Sequence, residues 1–273
     1  MGWAHARAYR ELGCRVALVC DPNLERARAC ARDTGALGWT ADARDVFARP
    51  DIRVVSVASP DHLHFAHACG ALQAGQHVMV EKPMVTTLAD ARALVRLARR
   101  SGRLVAVGNV NRFVPQFAHV RRLAAEGALG RLFFVESDYI HDMRLVYRAT
   151  PWRSDRRHPQ DFWIGGGVHP MDLLQWVGGE IVEVFVYSTR TSLPQFPLDS
   201  DFIAAVKFRS GASGKLWVTA GIRRRPEHVV RLNAYGDRGS IETDFSPTAR
   251  VYLRGQRRPA DGWRTVRFRE THG

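Results

Sequence analysis

"MGWAHARAYRELGCRVALVCDPN" (residues 1–23) decides how the chain is read. Residues 1–12 have the pattern of a helix that starts at once. Residues 15–20 form an apolar run closed by Asp21, the pattern of a buried strand. A chain of alternating strands and helices ordinarily opens on a strand. In a dinucleotide-binding α/β fold the first strand runs through a glycine-rich turn into a helix, and an acidic residue about 20 positions on takes the ribose hydroxyls. Gly2 lies nineteen residues before Asp21, where the last glycine of that turn belongs. The stretch therefore reads as a nucleotide-binding half entered at its first helix, with Gly2 and Asp21 as cofactor contacts. It carries the expectation that residue 1 is internal to a longer natural protein, with a first strand and two leading glycines upstream. Without that strand, two strand edges inside the sheet lack ladder partners.

Outward from this stretch the alternation continues to residue 109. "NLERARACARDTG" is an amphipathic helix stopped by Gly35, and "IRVVSVAS" (52–59) is a second β-branched strand ended by Pro60. A helix with Asp61 as N-cap and Gly75 as stop follows, then the strand "HVMVEKP", the helix "TLADARALVRLARRSG" and the strand "RLVAVGN". Strands joined by helices of this length are parallel neighbours with right-handed crossovers. Beyond one more helix near 114–127, the pattern becomes mostly strand, with a short helix near His169 and Gly-containing turns between the later strands. The expected architecture is α/β: a Rossmann-like, doubly wound parallel sheet lacking its first strand (1–112), then an α+β domain (113–273) built on a large, mainly antiparallel open sheet. Such a sheet commonly packs on another subunit, so a homo-oligomer is expected.

Composition narrows the function. The formal charge is +13, yet of the 40 basic residues only Lys82, Lys207 and Lys215 are lysines, so arginine replaces lysine everywhere and not in one patch. The runs Arg223–Arg225 and Arg257–Arg258 carry no interleaved aromatics and no groove-reading motif, so nucleic acid is not the expected partner. No stretch of 18 apolar residues is present, which argues against a membrane span. Cys14, Cys20, Cys30 and Cys69 show no C-x-x-C spacing and read as reduced packing residues of a cytoplasmic protein.

Two motifs carry chemistry. "VMVEKP" places Glu81, Lys82 and Pro83 at the carboxyl end of a strand, where ligands of α/β sheets bind. Lysine is the cationic side chain there that can give up a proton. "WIGGGVHPMDLLQW" offers three glycines (165–167) for close backbone approach to a ligand, then His169 at a helix start as a proton shuttle. A histidine that merely caps or packs is the alternative, and Asp172, one turn on, is either a substrate contact or a plain helix residue. "ASPDHLHFAH" ends a strand at the same face, so Ser59, Pro60 and His64 are candidate cofactor neighbours. His62, His64 and His67 do not share one helix face, and no metal is expected. Between the motifs, Tyr139, His141 and Arg153 follow a strand that enters a cleft, with Arg153 suited to a carboxylate or phosphate. A solvated loop is the alternative there.

Taken together, "GWAHARAY…CDPN", "SPDHLH", "AGQHVMVEKPM", "GNVNRF", "GGGVHPMDLLQW" and "YGDRGSIETD" resemble, in order, the glucose–fructose oxidoreductase, inositol dehydrogenase and rhizopine-catabolism (Gfo/Idh/MocA) family. The resemblance covers essentially the whole chain. It implies NAD(P)-dependent oxidation or reduction of a sugar, cyclitol or related hydroxyl compound. Lys82 then orients substrate and cofactor, and His169 moves the hydroxyl proton. Asp21 without an adjacent arginine favours NAD over NADP. The chain departs from the pattern in its missing first strand, in Gly165 where many members carry an aspartate, and in ending before a C-terminal helix. The first two departures keep open a rival class, a non-catalytic relative that binds a sugar or nucleotide as sensor or scaffold.

Overall fold

The computed structural model describes residues 1–159, 161–194, 196–223, 229–255 and 262–269. Arg224, Arg225, Arg257 and Arg258 of the arginine runs lie outside the described residues. The chain divides into two units, Met1–Gly108 and Asn109–Gly273. The boundary falls four residues before the expected one. Asn109 and Arg112 explain the shift, because both bond a carboxylate of the second unit (below).

The first unit opens on α1 (Gly2–Glu11), followed by β1 (Val19–Cys20), α2 (Leu24–Thr34), β2 (Trp39–Thr40) and α3 (Ala43–Phe47). It continues through β3 (Val54–Val57), α4 (His64–Gln73), β4 (His77–Val80), α5 (Leu88–Ser101) and β5 (Val105–Val107). Local chemistry sets the helix ends. Asn23 caps α2 by accepting from the Arg26 N–H at 3.1 Å, and Thr87 caps α5 by accepting from the Asp90 N–H at 3.1 Å. Gly35 and Gly102 close those helices at φ 63°, where glycine bears no Cβ strain. Asp61 is not a helix cap: residues 61–63 form a 3₁₀ turn, and α4 begins at His64.

All strand pairs of this unit are parallel, but they form two sheets, β1–β2 and β3–β4–β5. Among the described residues no strand joins β1 to β3. The expected strand over residues 15–20 is correspondingly reduced to Val19–Cys20, since a strand persists only where a neighbour completes its ladder. Cys14 and Cys20 are exposed, contrary to their reading as packing residues, whereas Cys30 is buried; all four cysteines are free. Val57, Leu72, Val78, Val80 and Leu94 form the core, each contributing about 1.5–3 kcal/mol by burial.

The second unit contains α6 (Pro115–Ala125), β6 (Leu132–Ile140), α7 (Arg144–Ala149) and α8 (Val168–Gly178). Seven strands follow: β7 (Ile181–Thr189), β8 (Asp201–Phe208), β9 (Ser213–Thr219), β10 (Val229–Gly236), β11 (Gly239–Thr243), β12 (Thr248–Leu253) and β13 (Arg264–Arg267). They make one eight-stranded sheet in the order β13-β12-β11-β10-β6-β9-β8-β7. Every pair is antiparallel except β6–β9, so the sheet is mainly antiparallel, as expected.

Alternation along β8 buries Phe202, Ala204, Val206 and Phe208 and exposes Ile203 and Lys207. Ala204, Val206 and Phe208 pack with Phe117 and Val120 of α6 and Leu173 and Leu174 of α8, and Phe202 packs with Met143 and Phe162. On the other face Phe185, Tyr187, Ile203 and Trp217 are exposed.

Candidate functional site

In the first unit the candidates lie where strands end. Asp21 follows β1 directly, and one of its carboxylate oxygens accepts the Asn23 N–H at 2.8 Å. α1 starts at Gly2 with no side-chain cap and no acidic residue in its first turn. A Cβ at Gly2 would lie 3.7 Å from the Ala58 Cβ, so the helix start packs on the end of β3. An uncapped helix N-terminus and an acidic residue after the next strand suit a pyrophosphate and a ribose respectively. The residues present therefore fit a dinucleotide.

Lys82 follows β4, and the Lys82–Pro83 peptide is cis. Glu81 and His64, expected beside the cofactor, are each bonded within the protein. Glu81 is buried, with Oε1 3.0 Å from His5 Nε2 and Oε2 accepting the Lys82 N–H at 3.2 Å. Burial pushes its carboxyl up, yet the His5 hydrogen bond and charge, with the Lys82 N–H and charge, outweigh burial and hold it below its ordinary value. Ionised Glu81 thus contributes stability above the ordinary carboxylate pKa, and that contribution is lost as pH falls through the depressed value.

The His64 ring is fully buried, 2.7 Å from the Pro83 carbonyl and 2.9 Å from the Ser59 carbonyl. It clamps the turn after β3 to the turn after β4. Ser59 Oγ lies 3.0 Å from His67 Nδ1, Pro60 precedes the 3₁₀ turn, and Pro83 is buried. Sequence reasoning missed His5, because its partners Ser56 and Glu81 are distant in the chain.

In the second unit His169 stands in the first turn of α8, its ring stacked on Tyr139 of β6 with centroids 5.6 Å apart and planes at 28°. The three glycines before it do not form a loop. Trp163–Gly167 form a π-helical turn leading into α8, a feature frequent at functional sites. A Cβ at Gly166 would meet Phe162 at 2.5 Å and Tyr139 at 3.0 Å, so the missing side chain lets the turn press against the stack. Burial pushes the Tyr139 phenol up to about 12, the Arg153 charge pulling the other way. His141, its ring 5.9 Å from Tyr139, is pushed down by burial, opposed by a backbone hydrogen bond and the charge of Asp142.

Arg153 stacks on Trp152 with its guanidinium carbon 4.1 Å from the ring centre. It lines a cavity with Met143, Tyr147, Asp161, Phe162 and Gly165. Asp161, unremarked in the sequence, brings a carboxylate to the wall that Gly165 leaves bare, and it caps the π turn by accepting the Ile164 N–H at 2.9 Å. Asp172 is better described as an anchor than as a substrate contact. Arg112 grips both its oxygens at 2.6 and 2.7 Å, and Asn109 Nδ2 donates to it at 3.0 Å. This pins α8, and His169 with it, to the 3₁₀ turn Val110–Phe113. No group of three His, Cys, Asp or Glu among the described residues is placed to hold a metal ion, and no described helix is long and apolar enough to cross a membrane.

Comparison with known proteins agrees with this geometry. Residues 1–109 match the oxidoreductase family with an NAD-binding Rossmann fold, and residues 117–242 match the GFO/IDH/MocA C-terminal domain. The chain is 25% identical to levoglucosan dehydrogenase of Pseudarthrobacter phenanthrenivorans over 97% of its own length and 77% of that protein's. It is 31% identical to inositol 2-dehydrogenase 2 of Saccharopolyspora erythraea over 88% and 69% of the two chains. It spans less of others, 56% of inositol 2-dehydrogenase 1 from the same organism. A solved levoglucosan dehydrogenase in complex with NADH and levoglucosan superposes with a TM-score of 0.84 at 26% identity, covering 98% of this chain and 77% of that one. The chain belongs to the GFO/IDH/MocA family of NAD-binding oxidoreductases.

Proposed function

We propose that this oxidoreductase is a dehydrogenase acting on a CH–OH group of a sugar, cyclitol or related polyol, with Lys82 and His169 as its catalytic residues. The placing of Lys82 at the carboxyl end of a parallel strand, with its flanking carboxylate and turns bonded in place, carries the proposal. Levoglucosan and inositols, on which the relatives act, set the substrate class. A bound nicotinamide supplies the hydride acceptor or donor. Lys82 orients the substrate hydroxyl through its amine, and His169 takes or returns the hydroxyl proton. Tyr139 holds the His169 ring in place, and His141 and Arg153 border the substrate. Turnover of a panel of inositols, anhydrosugars and aldoses tests the proposal; absence of turnover with retained ligand binding hands the chain to the sensor reading.

Asp21 selects NAD, because its carboxylate accepts from the ribose hydroxyls and repels a 2′-phosphate. The expected result is kcat/KM at least about tenfold higher with NAD than with NADP, and equal use of both overturns it. Arg153→Ala is expected to raise KM about tenfold while changing kcat little, since it removes binding and no chemistry. An unchanged KM excludes Arg153 from the substrate. The exposed Phe185, Tyr187, Ile203 and Trp217 face supports a homo-oligomer, and the free cysteines support a cytoplasmic location.

A further inference from the structure

His5 has no part in the chemistry just described, yet both its ring nitrogens are engaged by side chains remote in sequence. Nδ1 lies 2.7 Å from Ser56 Oγ on β3 and Nε2 3.0 Å from Glu81 Oε1 after β4. The His5 side chain is 14% exposed and that of Glu81 9%, so water contributes little to either. One set of donors satisfies the row: Ser56 O–H to Nδ1, Nε2–H to Glu81 Oε1, and Lys82 N–H to Glu81 Oε2. From the end of β5, Gly108 closes the remaining side, where a Cβ would lie 3.3 Å from Glu81 Oε1.

We propose that His5 is a positioning residue for Lys82, fixing the Glu81 carboxylate that in turn fixes the Lys82 backbone N–H and sets the charge beside its amine. The inference rests on the reading of Lys82 as catalytic. Its physical basis is that a buried carboxylate keeps its charge and orientation only while its partners stay in place. Without His5 the Glu81 carboxylate loses one of its two anchors, so its orientation toward the Lys82 N–H and its charge beside Lys82 are no longer held in place. Besides His5, the charged group acting on Glu81 is Lys82 itself.

The sequence makes a direct test practical, because Lys82, Lys207 and Lys215 are its only lysines. Reductive methylation of the full chain with ¹³C-formaldehyde gives three dimethyl-lysine resonances, besides the α-amino group, that are titrated by NMR without cofactor or substrate. In His5→Ala the Lys82 resonance is expected to move and to titrate about half a pH unit or more lower, while Lys207 and Lys215 stay unchanged. His5→Gln, whose amide can donate to Glu81 and accept from Ser56, is expected to restore the wild-type titration. In a Glu81→Gln background, His5→Ala is expected to move Lys82 no further.

A Lys82 titration in His5→Ala that superimposes on wild type overturns the proposal. So does an undiminished His5 effect in the Glu81→Gln background. If His5→Ala does not fold, Glu81→Gln alone carries the test, and a Lys82 resonance unmoved by it overturns the proposal. A shifted Lys82 resonance with no turnover on the substrate panel overturns the dehydrogenase reading and leaves this network standing; turnover with an unmoved resonance does the reverse.

Discussion

Lys82→Met is expected to lower kcat by about 10³-fold while leaving the melting temperature within about 2 °C of wild type. Methionine keeps the straight apolar stem, so the half-buried site after β4 stays filled and the change is confined to the amine. Groups other than that amine also anchor the segment. The His64 ring bonds the Pro83 and Ser59 carbonyls, and Glu81 Oε2 accepts from the Lys82 backbone N–H. Because the amine's charge also bears on buried Glu81, thermal melts beside the kinetics separate chemistry from folding. Steady-state kinetics with the best substrate of the panel, alongside thermal melts, make the measurement. Loss of kcat with a cofactor Kd within a few-fold of wild type places Lys82 in the chemical step. A kcat within tenfold of wild type removes it from the mechanism. Lys82→Arg is expected not to rescue, because a guanidinium keeps charge but cannot shed a proton and does not fit an ammonium's place.

The motifs were legible because they are local. A lysine after "VMVE" and a histidine after three glycines stand at element ends that hydrophobic periodicity locates. What the sequence hid is what depends on partners far along the chain. Asp172 reads as a helix residue or a substrate contact until Arg112, sixty positions earlier, is seen to hold both its oxygens. His64 reads as a ligand neighbour until its ring is found between two carbonyls from different turns. The glycines at 165–167 suggest close approach to a ligand, since nothing local shows that Phe162 and Tyr139 will press on Gly166. The strand at 15–20 failed for a related reason: its hydrophobic run is intact, but strand pairing is a property of neighbours, and among the described residues β1 pairs with β2 alone.

Gly236→Ala is expected to destabilise the protein by about 3 kcal/mol or more, a large loss for a single added methyl group. Gly236 ends β10 at an irregularity in its pairing with β6, where Tyr235 faces Phe134 but Gly236 faces Leu132. A Cβ there would lie 2.1 Å from the Leu129 carbonyl oxygen and 2.9 Å from its carbon, and both atoms are backbone. No rotamer change relieves such an overlap, so the chain itself has to move. The segment that would move is fastened: the Arg238 N–H donates to the Leu129 carbonyl at 3.0 Å, and the Asp237 N–H to the Arg131 carbonyl at 3.1 Å. Leu129 is also fully buried in the core of the second unit, so shifting it opens packing as well as hydrogen bonds.

Gly167→Ala is the matched control. Its nearest Cβ contacts are at 3.4 Å, and alanine favours a helical backbone, so its stability is expected within about 1 kcal/mol of wild type. Denaturant titrations of the two variants decide the matter. A Gly236→Ala midpoint no lower than that of Gly167→Ala would show that the β10–β11 turn can yield without cost. The expected gap would mean that the glycine of "YGDRG" is required by the close approach of two backbones and by no ligand.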